Sequence, residues 1–89
     1  MRESKIEEVL RLGVEYKGGE CFKWVSPNRS GVPDRIVVLP GVIVFVETKA
    51  PNGELKSWQA RCHARLTELG FRVEVLWTVS MVHGFLCSL

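Results

Sequence analysis

Three residues near the middle of the chain carry the strongest chemical signal. Asp34 sits in the segment Gly31-Val32-Pro33-Asp34-Arg35, and Glu47 and Lys49 sit in Glu47-Thr48-Lys49. Side chains alternate along a strand, so Glu47 and Lys49 share one face and Thr48 takes the other. Pro40-Gly41 reads as a tight turn between them, which pairs Leu39 with Val42. Counting outward along that hairpin sets Asp34 opposite Glu47, and opposed residues are neighbours on one face. Two carboxylates and an amine meeting at a strand end suit metal-assisted hydrolysis of a phosphodiester. Mg²⁺ is a hard cation that takes oxygen ligands, and Asp34 and Glu47 would supply two anionic ones, with the backbone carbonyl of Thr48 as a neutral third. Such an ion polarises a phosphoryl oxygen and lowers the pKa of a bound water. Lys49 would hold that water or stabilise charge developing on the phosphate. Two uncompensated carboxylates repel, so their proximity itself argues for a cation.

The elements that must position these residues follow from hydrophobic period and turn chemistry. Ser4 reads as the cap of a first helix running to about Tyr16, with Ile6, Val9, Leu10 and Val14 on its apolar face and Gly18-Gly19 as its stop. Glu3 and Glu7 border that face, one turn apart. Cys21 to Val25 reads as a strand, with Phe22 and Trp24 on one side, and residues 26–33 as a loop. Asp34 to Leu39 and Val42 to Thr48 form the hairpin; the second of these is apolar on both faces and belongs in the middle of a sheet. A second helix spans about Leu55 to Leu69, with an expected buried face of Leu55, Trp58, Cys62, Leu66 and Leu69 and a stop at Gly70. Arg72 to Trp77 is a fourth strand. The apolar tail from Val79 to Leu89 is expected to be a short helix, packed on the sheet or on a partner. The resulting α-β-β-β-α-β order describes an α/β domain with a mixed central sheet flanked by helices.

Composition limits the classes available. The chain has 89 residues, 46% hydrophobic and 25% charged, which suits one folded domain over 1–89 and not a disordered chain. A chain this short buries a modest fraction of its surface, so self-association is expected. The longest apolar run, Val42 to Val46, is far shorter than the ~20 residues a membrane helix needs, and no signal-peptide pattern is present. Cys21, Cys62 and Cys87 have neither disulfide-framework nor zinc-ligand spacing, and a reducing cytoplasm fits them. The net charge of +2 is too small to signal nucleic-acid binding by itself. With three of the ten acids occupied by a cation, twelve basic residues would stand against seven acidic ones. His63 and His83 lack partners at metal spacing and read as structural; Trp24, Trp58 and Trp77 read as core.

The string Ser26-Pro27 … Gly31-Val32-Pro33-Asp34-Arg35 … Phe45-Val46-Glu47-Thr48-Lys49-Ala50-Pro51 … Gln59 … Gly70 resembles the VRR-NUC branch of the PD-(D/E)XK nuclease superfamily, in particular its short stand-alone members from phages and bacteria. The likeness runs from Glu3 to about Trp77, and the superfamily's restriction-endonuclease-like core has the same αβββαβ order. It implies that Asp34 and Glu47 bind Mg²⁺ or Mn²⁺ with the Thr48 carbonyl, that Lys49 is the catalytic lysine, and that Gln59 orients the site or a phosphate. It also implies a first-helix glutamate at the metal; Glu7 is preferred for its place beside the buried stripe, with Glu3 the alternative. An aliphatic residue is usual between the Glu and the Lys. Thr48 replaces it here, at little expected cost because only its backbone would be used. Lys23, Arg29, Arg35 and Lys56 flank the site and could clamp phosphates. The activity so implied is a metal-dependent, structure-selective endodeoxyribonuclease acting on branched DNA such as Holliday junctions. It would work as a homodimer, with no membrane and no nucleotide cofactor, in a bacterial or phage-infected cytoplasm. The apolar tail around Val79, Met81, Val82, Phe85 and Leu86 would either join the dimer surface or complete the core. Two rivals stand beside this reading: a non-catalytic DNA-binding or assembly subunit, and a non-specific or nicking nuclease.

Overall fold

A computed structural model describes residues 3–89. The chain runs α1 (Glu3–Tyr16), β1 (Glu20–Lys23), β2 (Arg35–Leu39), β3 (Val42–Thr48), α2 (Ser57–Glu68), β4 (Arg72–Leu76) and α3 (Val79–Cys87). The four strands form one sheet in the order β1-β2-β3-β4; the first two pairings are antiparallel and β3–β4 is parallel. Leu39 pairs with Val42 and Arg35 with Val46, so the hairpin has the register its turn residues imply. Gly41, at φ 74, supplies the left-handed residue of that turn.

The core lies on one face of the sheet. Val37, Val44, Val46 and Leu76 meet Ile6, Leu10 and Val14 of α1 and Val82, Phe85 and Leu86 of α3. The helical spacing of the α1 stripe puts these side chains on one face, and strand alternation puts Val44, Val46 and Thr48 towards them. Helix α1 begins at Glu3, so Ser4 lies inside its first turn and is not its cap. Helix α3 is well capped: the Thr78 hydroxyl oxygen accepts the Met81 N–H at 3.0 Å. Its apolar residues Val82, Phe85 and Leu86 are buried in the chain's own core, so of the two alternatives for the tail these residues complete the core.

The other face is covered unevenly. Phe22, Ile36, Phe45 and Val73 lie in one row across the four strands, and Phe45 touches Trp24 and Phe71. Phe22, Ile43, Leu69 and Phe71 are all about half exposed, because α2 reaches only part of this face. The expected buried face of α2 is corrected accordingly. Trp58 and Leu69 are each more than half exposed; the helix buries Cys62, as expected, and His63 beside it. A twelve-residue helix against a wider sheet cannot cover its whole face, so part of its apolar stripe stays in water.

The loop that carries Asp34 is pinned to α2 at Gly31. Its φ is +91, and a Cβ there would lie 2.5 Å from the Trp58 carbonyl oxygen. Pro33, next along, is fully buried. Gly31→Ala therefore meets both backbone strain and a clash with backbone, and is expected to destabilise by about 2–3 kcal/mol. Gly41→Ala, with positive φ but open space around it, is expected to cost only about 1 kcal/mol. Thermal melts of the two variants check this; equal losses would show that the loop is not held against α2.

Candidate active site

Glu47 and Thr48 are the last two residues of β3, and strand alternation sends them to opposite faces. Thr48 points towards α1 and is fully buried. Asp34, just before β2, is fastened to it twice. Its Oδ1 accepts the Thr48 N–H at 3.0 Å, and its Oδ2 accepts the Thr48 hydroxyl at 2.7 Å. Each carboxylate oxygen has a second lone pair, so these bonds orient Asp34 without exhausting it as a ligand. The Thr48 hydroxyl thus helps to hold Asp34, a contact not expected from the sequence, which gave only the Thr48 backbone a use.

Helix α1 adds two acids on the same side. Glu7 Oε1 lies 3.4 Å from the Thr48 hydroxyl oxygen, and its Oε2 pairs with Arg35 at 2.9 Å. Carboxylate oxygens of Glu3, Glu7 and Asp34 all lie within 4.8 Å of one another. One helical turn separates the two glutamates, which is why both reach the strand end. The structure thus sets Glu3 and Glu7 together at Asp34, where the sequence left a choice between them.

Glu47 faces the α2 side with Lys49. It is 5% exposed, its Oε2 lies 3.9 Å from Lys49 Nζ, and its Oε1 is buried without a hydrogen-bond partner. His63 Nε2, itself buried and unpartnered, lies 3.7 Å from that oxygen. Burial first, and then the charge of Asp34, push the Glu47 carboxyl up to about 7, against the opposing pull of Lys49. Asp34 is also raised, by burial, although the Thr48 hydrogen bonds and Arg35 oppose the rise. Glu3 is raised by burial and by the charges of Glu7 and Asp34. His63 is shifted down by burial and by Lys49, towards its neutral form.

The remaining residues named from sequence divide between the site and other work. Gln59 lies on α2, and its Oε1 accepts the Lys56 N–H at 2.9 Å, capping that helix. Lys56 pairs with Glu54 at 3.1 Å on the surface. Arg35 is largely buried in its pair with Glu7, so its charge holds a site carboxylate in place. Lys23 and Arg29 are exposed. His63 is the residue sequence reasoning passed over. The available signal was its place four residues after Gln59, on the same face of one helix.

The residues fit a hard divalent cation. Three acids at one end of the sheet have raised pKa values, first from burial and then from one another's charge, which Lys49 and Arg35 only partly offset. Glu3, Glu7 and Asp34 each bring a carboxylate oxygen within 4.8 Å of the others, an all-oxygen donor set suited to such an ion. An amine at 3.9 Å from Glu47 completes a set able to grip an ion and a phosphate together.

Comparison with known proteins converges on one family. A family profile described as the VRR-NUC domain matches residues 3–80. A protein named "Putative nuclease p44", from Acyrthosiphon pisum secondary endosymbiont phage 1, is 52% identical over 77 residues, which are 85% of this chain and 83% of that protein. A solved structure described as a VRR_NUC domain superposes with a TM-score of 0.86 at 34% identity, covering 92% of this chain and 90% of that one.

The raised Glu47 pKa has a consequence for stability. Its carboxyl is raised from 4.5 to about 7 on folding, so the folded chain holds that proton more tightly than the unfolded chain. The stabilisation is complete below pH ~4.5 and is lost as pH rises through ~7. In chelator, the melting temperature is expected to carry this loss, and Glu47→Gln should flatten that part of the profile and melt several degrees above the parent chain at pH 8. Superimposable profiles for the two proteins would show that Glu47 is not desolvated as described.

Proposed function

The chain belongs to the VRR-NUC family of nuclease-type domains, and we propose that it is a Mg²⁺- or Mn²⁺-dependent endodeoxyribonuclease. The observation that carries this reading is the cluster of Glu3, Glu7 and Asp34 at the end of β3, with Thr48 holding Asp34, while Glu47 and Lys49 stand together on the other face of the same strand end. Asp34, Glu47 and the Thr48 carbonyl would hold the ion, and Glu7, with Glu3 next to it, would complete the set directly or through water. When bound, the ion supplies Lewis-acid polarisation of the phosphoryl oxygen and a more acidic water. Lys49 holds the attacking water or neutralises charge on the phosphate as the bond breaks. Thr48 fixes the Asp34 carboxylate, and Arg35 fixes that of Glu7, so the ligands are set before DNA arrives.

DNA would be gripped through its backbone. Lys23 and Arg29 are exposed and suited to phosphates, and occupation of the acids by a cation leaves a basic excess. Among the described residues no element resembles a base-reading module, so shape is the better candidate for selectivity. This favours branched DNA such as a Holliday junction as the substrate. The half-exposed apolar residues Phe22, Ile43, Leu69 and Phe71 support a homodimer, whose two sites could meet two strands of a junction.

A labelled four-way junction, a flap and a linear duplex, each with Mg²⁺, Mn²⁺ or chelator, test the reading. Cleavage is expected only with metal and fastest on the junction, and Lys49→Ala should lower it ~10²–10³-fold with the fold intact. Binding without cleavage in either metal would instead identify a non-catalytic DNA-binding subunit, and equal rates on linear and branched DNA would remove structure selectivity. Sedimentation is expected to show a dimer at micromolar concentration, shifted towards monomer by Phe71→Glu. A monomer that retains full activity would remove the dimer.

A further inference from the structure

Two buried side-chain atoms lack hydrogen-bond partners among the described residues, and they face each other: Oε1 of Glu47 and Nε2 of His63, 3.7 Å apart. Buried polar atoms in folded proteins are nearly always paired, so two orphans at one point require a reason. The separation is beyond the ~3.2 Å limit of a good N–H···O bond. The terminal torsion of a glutamate is broad, however, so a small rotation of the Glu47 carboxylate closes the gap. Both partners sit on fixed elements. Glu47 is in the central strand β3, and His63 is 7% exposed on α2, beside the buried Cys62.

We propose that His63 is a positioning residue for Glu47: its Nε2–H donates to Oε1 and thereby fixes Oε2 towards Lys49. The reasoning depends on the metal-dependent reading above, and it assigns the α2 contribution at Glu47 to a residue other than Gln59, whose carbonyl oxygen caps its own helix. A metal-binding carboxylate needs a defined orientation, and outer partners of this kind set it. Without a donor at Oε1 that half of the carboxylate is not held, and Oε2 has a less fixed relation to the Lys49 amine 3.9 Å away.

The test uses the whole chain with His63→Leu, which removes the donor at similar volume, and His63→Gln, whose amide nitrogen falls near the position of Nε2. Mn²⁺ is titrated calorimetrically without DNA, and kcat and KM are measured on the cleaved substrate. His63→Leu is expected to weaken Mn²⁺ binding ~10–100-fold and to lower kcat while DNA KM stays unchanged; His63→Gln should recover most of both. Parent-like Mn²⁺ binding and kcat in His63→Leu, or equal losses in the two variants, would overturn the proposal. Imidazole ¹⁵N shifts of the metal-free parent give a readout that survives any folding failure of the variants. The Nε2–H tautomer is expected, with its shift altered by Glu47→Gln, and the Nδ1–H tautomer would overturn the assignment. A parent chain that shows the Nε2–H contact but binds no Mn²⁺ would instead remove the metal-dependent reading and leave the contact standing.

Discussion

Everything at the candidate site follows from burying the Glu47 carboxylate at the end of the central strand. Water has been replaced there by the faces of α2 and β4, by one amine and by an imidazole, with the negative charge of Asp34 close by. Desolvated negative charge of this kind is unfavourable and must be answered by a proton or by a cation. The rise of the Glu47 pKa to about 7 is the proton's answer. A divalent ion would answer with more charge, and the acids of α1 and the Asp34 loop stand on the neighbouring side.

The sheet resolves a geometric difficulty in this arrangement. Adjacent residues on a strand point to opposite faces, yet an ion needs ligands from both sides of the strand end. Asp34 joins the two. It directly precedes Arg35, which pairs with Val46, and both its oxygens bond to Thr48, whose side chain points towards α1. The carboxylate therefore stands at the strand end, within reach of Glu3 and Glu7 and close enough for its charge to raise Glu47. The loop pinned at Gly31 by α2, and the Arg35–Glu7 ion pair, hold the two sides of this arrangement to the same scaffold.

Much of this was legible in the sequence because it depends on period and parity. The hairpin register needed only Pro40-Gly41 and alternation, and the α1 stripe of Ile6, Leu10 and Val14 needed only helical spacing. What sequence could not supply was the orientation of side chains across elements. The Thr48 hydroxyl looked like an accidental replacement because its partner, Asp34, is distant in the chain and its bond to that residue depends on the last angle of each side chain. His63 was read as structural because no second ligand stands near it in sequence; its partner is on another element. The face of α2 was misjudged for a different reason. Apolar periodicity shows which residues share a face, but not how far the sheet beneath extends, and Trp58 and Leu69 remain exposed.

The central claim, that this strand end is built to hold a divalent ion, is most directly tested by anomalous diffraction from crystals grown or soaked in Mn²⁺. The account predicts one strong Mn²⁺ peak at the end of β3, with oxygens of Asp34, Glu47 and the Thr48 carbonyl at coordination distance and an α1 glutamate reached directly or through water. A well-ordered site with Mn²⁺ bound elsewhere, or no peak there at saturating metal, would contradict it.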